Sequence, residues 1–217
     1  MDGDLTPMPS LNERSASSAY SSTHEDNTYA IHEGSVLENL TIVKSGTLIS
    51  YSLMSDGEEV PNGFYNKGSL ICEEAMFEGN ARYSYKTFGT TVLDHFKCNK
   101  ILPNDWCCIA KNVSKRSAEQ SRMINVFKNY EVTYRIAYVL LQLAASDQQT
   151  FLKDVQLINV TLPRLAHYCS INPHTLSHRV RIMQREGLLI IGYKNIGIVN
   201  KDFLQQMIEG GEYDGKR

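Results

Sequence analysis

The sequence predicts an α+β chain in three parts: an N-terminal β-roll, a long helix, and a C-terminal winged helix-turn-helix. Three observations carry this reading. Between Thr28 and Phe96, short β-branched or aromatic runs alternate with Gly34, Gly46, Gly57, Gly63, Gly68, Gly79 and Gly89, the punctuation of small antiparallel strands. From Asn104 to Ala145 there is neither Gly nor Pro, and apolar residues recur at helical spacing. Beyond Val160, two short capped helices lead into a pair of strand-like runs.

Residues 1–27 are rich in Ser, Thr and Asn and poor in large apolar groups, which predicts a flexible arm. Residues 28–103 hold the strand-like runs Thr41-Ile42-Val43, Thr47-Leu48-Ile49-Ser50-Tyr51 and Tyr83-Ser84-Tyr85, with Asp56-Gly57 as a hairpin turn. Within residues 104–145, Trp106, Ala110, Val113, Ser117, Gln120, Ile124 and Phe127 follow the alternating four-and-three spacing of a coiled-coil seam. A seam of that length needs a partner, so a parallel homodimer is expected. A second helical core runs from Thr133 to Ala145, with a hinge near Ala144 to Gln149.

Residues 146–217 complete the chain. Thr161 caps a helix with Pro163 in its first turn, and Asn172 caps another with Pro173 at its first position. The second helix runs to about Glu186 and stops at Gly187. Strands at Leu188–Ile191 and Ile196–Val199 follow, joined by Gly192-Tyr193-Lys194-Asn195. Two short helices and a hairpin spell a winged helix-turn-helix.

Composition narrows the function. The chain of 217 residues is 42% hydrophobic and carries a net charge of -2, unevenly spread. Residues 1–100 hold 7 Lys+Arg against 14 Asp+Glu, whereas residues 160–200 hold five basic groups against Glu186 and three of the six histidines. A basic segment attached to an acidic one suits a module that meets phosphates. The longest apolar run is too short to span a bilayer, and no secretion signal is read, so no membrane association is expected. Cys72, Cys98, Cys107, Cys108 and Cys169 form no CxxC and fit a reducing cytoplasm. His24, His32 and His95 are scattered singles and no nucleophile triad or phosphate loop is present, which argues against an enzyme.

On the second short helix Leu176, Val180 and Met183 keep to one side, while His174, Thr175, Ser177, His178 and Arg181 crowd the other. Such donors and acceptors are what base edges in a major groove require. Thr161, Arg164, Asn172, Pro173 and Lys194 complete the expected DNA contacts, with Arg164, Arg185 and Lys194 meeting phosphates. The expected partner is double-stranded DNA, read as a two-fold site.

Four stretches in order resemble the Crp-Fnr (cyclic-AMP receptor protein / fumarate-nitrate regulator) family. They are Ile31-His32-Glu33-Gly34 with Gly46; Gly68-Ser69-Leu70-Ile71-Cys72-Glu73-Glu74-Ala75-Met76-Phe77 with Arg82; Val132–Ala137 with Leu140–Ala144; and Val160–Leu189. The resemblance implies a cyclic-nucleotide-binding-like jelly roll, a dimerisation helix, transcription regulation and contact with RNA polymerase. It places an effector near Glu73, Arg82, Gln120 and Ser121.

The departures are specific. Cys72 stands where nucleotide-binding members have glycine, and Tyr83 follows Arg82 where they have a small hydroxyl residue. Both argue against a cyclic nucleotide. Residues 1–71 contain no cysteine, which argues against an iron–sulfur cluster. Haem on Cys72 and His95, a redox role for Cys107-Cys108, and a small-molecule module without DNA binding remain as alternatives, and the effector stays unidentified. Pro173, His174 and His178 stand where the resemblance places Arg, Glu and Arg, so the operator differs from that of the cyclic-AMP receptor.

Overall fold

The structure, a computed structural model, describes residues 19–77, 79–147, 150–153 and 155–209. Its residues group into two compact units. One takes in the chain up to Leu53 together with Gly63–Ser121; the other comprises Met54–Asn62 and the chain from Arg122 onward.

The first unit is an antiparallel roll. Strands β1 (Tyr20–His24), β2 (Tyr29–Ile31), β3 (Asn39–Leu53), β4 (Glu59–Asn66), β5 (Leu70–Ile71) and β6 (Ser84–Lys97) form one sheet in the order β1-β6-β3-β4, with β2 on β6 and β5 on β3. The long β3–β6 ladder runs from Asn39↔Lys97 to Tyr51↔Ser84 and shifts register around Ser45. The inner face buries Val43, Leu48, Tyr65, Ile71, Cys72, Tyr85 and Leu93 as one cluster. The shift explains Gly46: its φ is +84°, and an added Cβ would stand 2.6 Å from Thr90 O.

Residues 20–24 correct the sequence reading. Although the flexible arm was expected to extend to residue 27, Tyr20–His24 pair with Thr91–His95 as β1. Tyr, Ser and Thr lack apolar mass but tolerate a pleated edge, and the pairing is backbone to backbone. The rest of that arm, residues 1–18, lies outside the described residues.

Helix α1 (Trp106–Asn129) follows the roll. The chain breaks at Tyr130-Glu131 and resumes as α2 (Val132–Ala144), so the glycine-free stretch is two helices. The expected seam divides. Ala110, Ser117 and Ile124 are exposed, as is Trp106, whereas Val113, Gln120 and Phe127 are half-buried. Val113 packs against the cluster of Leu40, Leu70, Phe96 and Ile109. One row of the heptad thus serves the chain's own core and the other stays open.

The second unit contains α2, strands β7 (Thr150–Leu152) and β8 (Val155–Ile158), helices α3 (Leu162–Tyr168) and α4 (Pro173–Arg185), strands β9 (Leu189–Ile191) and β10 (Ile196–Ile198), and α5 (Lys201–Ile208). Its sheet runs β7-β8-β10-β9, all antiparallel. The β7–β8 strands lie in a stretch to which the sequence reading assigned no element. Buried Gln156 ties three elements: its Nε2 donates to Ala144 O at 2.6 Å, and its Oε1 accepts from Lys201 Nζ at 3.4 Å. Gln148 and Gln149 of the expected hinge lie outside the described residues. No helix among the described residues is long and apolar enough to cross a membrane.

Replacing Gly46 by Ala forces a left-handed backbone on a residue with a Cβ and drives that carbon into Thr90. The expected loss is about 2–4 kcal/mol, read as a lower denaturant midpoint at unchanged slope.

Candidate nucleic-acid interface and effector cassette

The recognition module is built on two caps. Thr161 Oγ1 accepts from Arg164 N–H at the start of α3, and Asn172 Oδ1 accepts from His174 N–H at 2.9 Å at the start of α4. Pro163 and Pro173 sit in the first turns, where a missing N–H is harmless. Ser170, with φ +51°, makes the turn between the helices, and Gly187, with φ +72°, ends α4.

Leu176, Val180 and Met183 are fully buried and anchor α4. The opposite side is open: His174, Thr175, His178 and Arg181 are exposed, with Arg185 one turn further. Ser177 is half-buried, at the edge of this stripe. The stripe presents imidazole, hydroxyl and guanidinium groups, each able to bond a base edge or a phosphate. Arg164 on α3 is half-buried; its Nε donates to Tyr168 Oη and its guanidinium lies 5.5 Å from the Tyr168 ring centre. In the wing, Gly192 N–H donates to Asn195 O at 2.9 Å, which leaves Tyr193 and Lys194 exposed at the tip.

Each of the four expected effector residues is engaged with a different neighbour. Glu73, in the 3-10 turn Glu73–Phe77, is engaged in a bidentate ion pair with Arg116 of α1, both side chains less than one-fifth exposed. Arg82 is largely exposed, with its Nε 3.6 Å from Glu74 Oε1. Gln120 Nε2 donates to Tyr65 Oη at 3.2 Å, and Tyr65 also accepts from Ser50 Oγ at 3.4 Å. Ser121 is exposed and returns its hydroxyl to Ser117 O at 2.9 Å.

Sequence reading missed Arg116. A second stripe on α1, Ile109, Val113, Arg116, Gln120 and Met123, was available as its signal, hidden because the heptad reading claimed Val113 and Gln120.

Cys72 holds φ +62° and is 1% exposed. The backbone of the cassette therefore keeps a glycine conformation with a cysteine in it. Burial, and then the Glu74 carboxylate, push its thiol up to about 12. A neutral buried thiol is a poor iron ligand, and both ring nitrogens of His95 are hydrogen-bonded, to Ser22 and Thr41. Cys72 and His95 thus do not fit a haem seat. Cys107 is exposed and Cys108 half-buried, both free thiols.

Residues 23–93 match the family described as Cyclic nucleotide-binding domain. Over 181 residues the chain is 23% identical to the Fumarate and nitrate reduction regulatory protein of Escherichia coli (strain K12), covering 80% of this chain and 72% of that one. A CRP family transcriptional regulator of Thermus thermophilus has the same fold with a TM-score of 0.78, at 17% identity, covering 87% of this chain and 97% of that one. FixK2 of Bradyrhizobium japonicum also shares it, with a TM-score of 0.69 at 17% identity, covering 90% and 99%.

Arg116→Ala strands the Glu73 carboxylate in a largely buried place and is expected to destabilise the first unit by about 1–3 kcal/mol. The double change Glu73→Gln with Arg116→Met, which removes both charges, should recover part of that loss in a thermal melt. The chain thus carries a match to the cyclic nucleotide-binding domain over residues 23–93, is similar along most of its length to the fumarate and nitrate reduction regulatory protein, and shares the fold of the CRP family regulator.

Proposed function

We propose that this chain is a DNA-binding transcriptional regulator that acts as a parallel homodimer in the cytoplasm, and whose winged helix-turn-helix reads a palindromic operator. The observation that carries the reading is α4 itself: its apolar side is fully buried while His174, Thr175, His178 and Arg181 stand in one exposed stripe. Folding makes no use of those four side chains, and they are of the kinds that read base edges. Double-stranded DNA is the partner the stripe fits, and RNA polymerase is the partner the family role implies. Arg164, Arg185 and Lys194 supply phosphate contacts.

The open row of α1 supports the dimer. Trp106, Ala110, Ser117 and Ile124 lie exposed along the heptad spacing, and a second copy laid parallel would bury them. Two recognition helices would then be presented about one duplex turn, ~34 Å, apart. The roll serves as the sensor, its state passed to the reading heads along α1; its effector is a small molecule or signal other than a cyclic nucleotide.

His174→Ala or Arg181→Ala should each weaken binding to a palindromic duplex by about 1–3 kcal/mol, roughly 5- to 150-fold, with sedimentation still reporting a dimer. Retained affinity in both would refute the assignment of α4. The wild-type affinity should fall steeply with salt as counterions are released; a flat dependence would favour the reading without DNA. Ile124→Lys, placed in the open row, should yield a monomer by sedimentation with an unchanged circular dichroism spectrum.

A further inference from the structure

A cluster on β1, β3 and β6 of the first unit joins two imidazoles. Ser22 of β1 stands between two imidazoles, its Oγ 2.9 Å from His24 Nε2 and 2.7 Å from His95 Nε2. On the other side of the His95 ring, Nδ1 is 3.0 Å from Oγ1 of Thr41, which is buried on β3. Tyr20 stacks on His95 with ring centres 4.6 Å apart. Register fixes the arrangement, since Tyr20 and Thr41 are both directly opposite His95, on the two sides of β6.

The proton inventory is tight. With both rings neutral the three hydrogen bonds form one complete chain: His24 Nε2–H donates to Ser22 Oγ, Ser22 O–H donates to His95 Nε2, and His95 Nδ1–H donates to Thr41 Oγ1. Protonating His95 puts N–H groups at both of its nitrogens. Ser22 can still donate its hydrogen to His24 Nε2 in the other neutral tautomer, so one proton is accommodated, whereas a second leaves Ser22 Oγ with donors on both sides. Protonating His24 as well sets two cations on one hydroxyl.

We infer that His24, Ser22 and His95 form a proton-operated latch, which holds β1 against β6 while both imidazoles are neutral and releases it when they take up protons. β1 is an edge strand, so it can leave without breaking the β3–β6 ladder, and its departure bares the β6 edge over Thr91–His95. Among the described residues no three His, Cys, Asp or Glu side chains gather as a metal ion would require, so the cluster is read as a proton site.

The surroundings set the sign. Burial lowers the proton affinity of His24, and burial followed by the neighbouring His24 lowers that of His95. Asp94 pulls His95 the other way, but its carboxylate is engaged by Ser21 at 2.5 Å and Lys44 at 3.3 Å. Cys72, which bonds Thr41 from the cassette side, is neutral. With β1 detached, His24 and the uncovered His95 of β6 would protonate nearer the ordinary value, about 6.5. The latched state binds fewer protons, so its stability is fully present above that pH and declines as pH falls through it toward the lowered values.

The test is histidine-ring NMR together with amide exchange, corrected for intrinsic rates, on the full chain between pH 8 and 5. Both rings should titrate below 6.5, each sensing the other. Protection of amides 20–24 relative to β3 should fall about tenfold for each unit by which the pair is lowered. The His24→Gln, His95→Gln double variant should abolish that fall, and Ser22→Ala should uncouple the two titrations. Independent titration at or above 6.5, β1 protection that tracks β3 throughout, or a fall that persists in the double variant would each overturn the latch. None of these readouts involves DNA, so they stand or fall separately from the proposed regulator role.

Discussion

Helix α1 turns one row of its residues onto the roll and leaves another open, and much of the first unit follows from the buried row. An α-helix turns 3.6 residues per revolution, so positions seven apart drift only slightly and form rows. Val113 and Gln120 lie in one row and are half-buried against the chain's own roll; Ala110, Ser117 and Ile124 lie in the next and are open. Between them Arg116 reaches Glu73 of the cassette. An ion pair so little exposed is not in itself a large source of stability, because both charges give up water. Its effect is on placement, since a shift of α1 by one turn would leave two buried charges without partners. The Gln120–Tyr65 hydrogen bond, one turn on, enforces the same register.

The winged helix-turn-helix module solves a related problem with fewer residues. Its core is small, so each anchor matters: Leu176, Val180 and Met183 on α4, Leu165 and Ala166 on α3, and Ile196 and Ile198 in the wing are all buried. Gln156 then joins the end of α2, β8 and the start of α5 through one side chain. With the helix held from behind and its first turn fixed by Asn172 and Pro173, its outer stripe is released from any duty in folding. That division of labour is why polar side chains can be placed there by the demands of a partner alone.

Local signals of the sequence translated well into structure wherever local physics decides the outcome. The Thr161 and Asn172 caps, the Gly187 stop and the wing strands are matters of a few neighbouring residues, and each stands within a residue or two of its expected place. Non-local pairings were hidden. β1 is built from Ser, Thr and Tyr and exists because β6 offers an edge; the β7–β8 hairpin is three and four residues long, too short for a period to emerge. The partner of Glu73 was hidden for another reason: Arg116 sits 43 residues away, on a helix whose spacing had already been given a different explanation.

Cys72 separates what a fold preserves from what a ligand needs. A left-handed backbone at a non-glycine residue costs on the order of 1 kcal/mol, yet the chain keeps it, because β5 and the following turn require the cassette to bend there. An anion cradle asks for more than the bend: its amides must be approachable and a cation must face them. Here a thiol fills the bend, buried and neutral, and Arg82 lies outside against Glu74. The bend of the cassette is thus present with a thiol in it and with its arginine turned to a neighbouring carboxylate. Groups of this roll that titrate near neutrality lie instead on the β1–β6 ladder, in the pair His24 and His95.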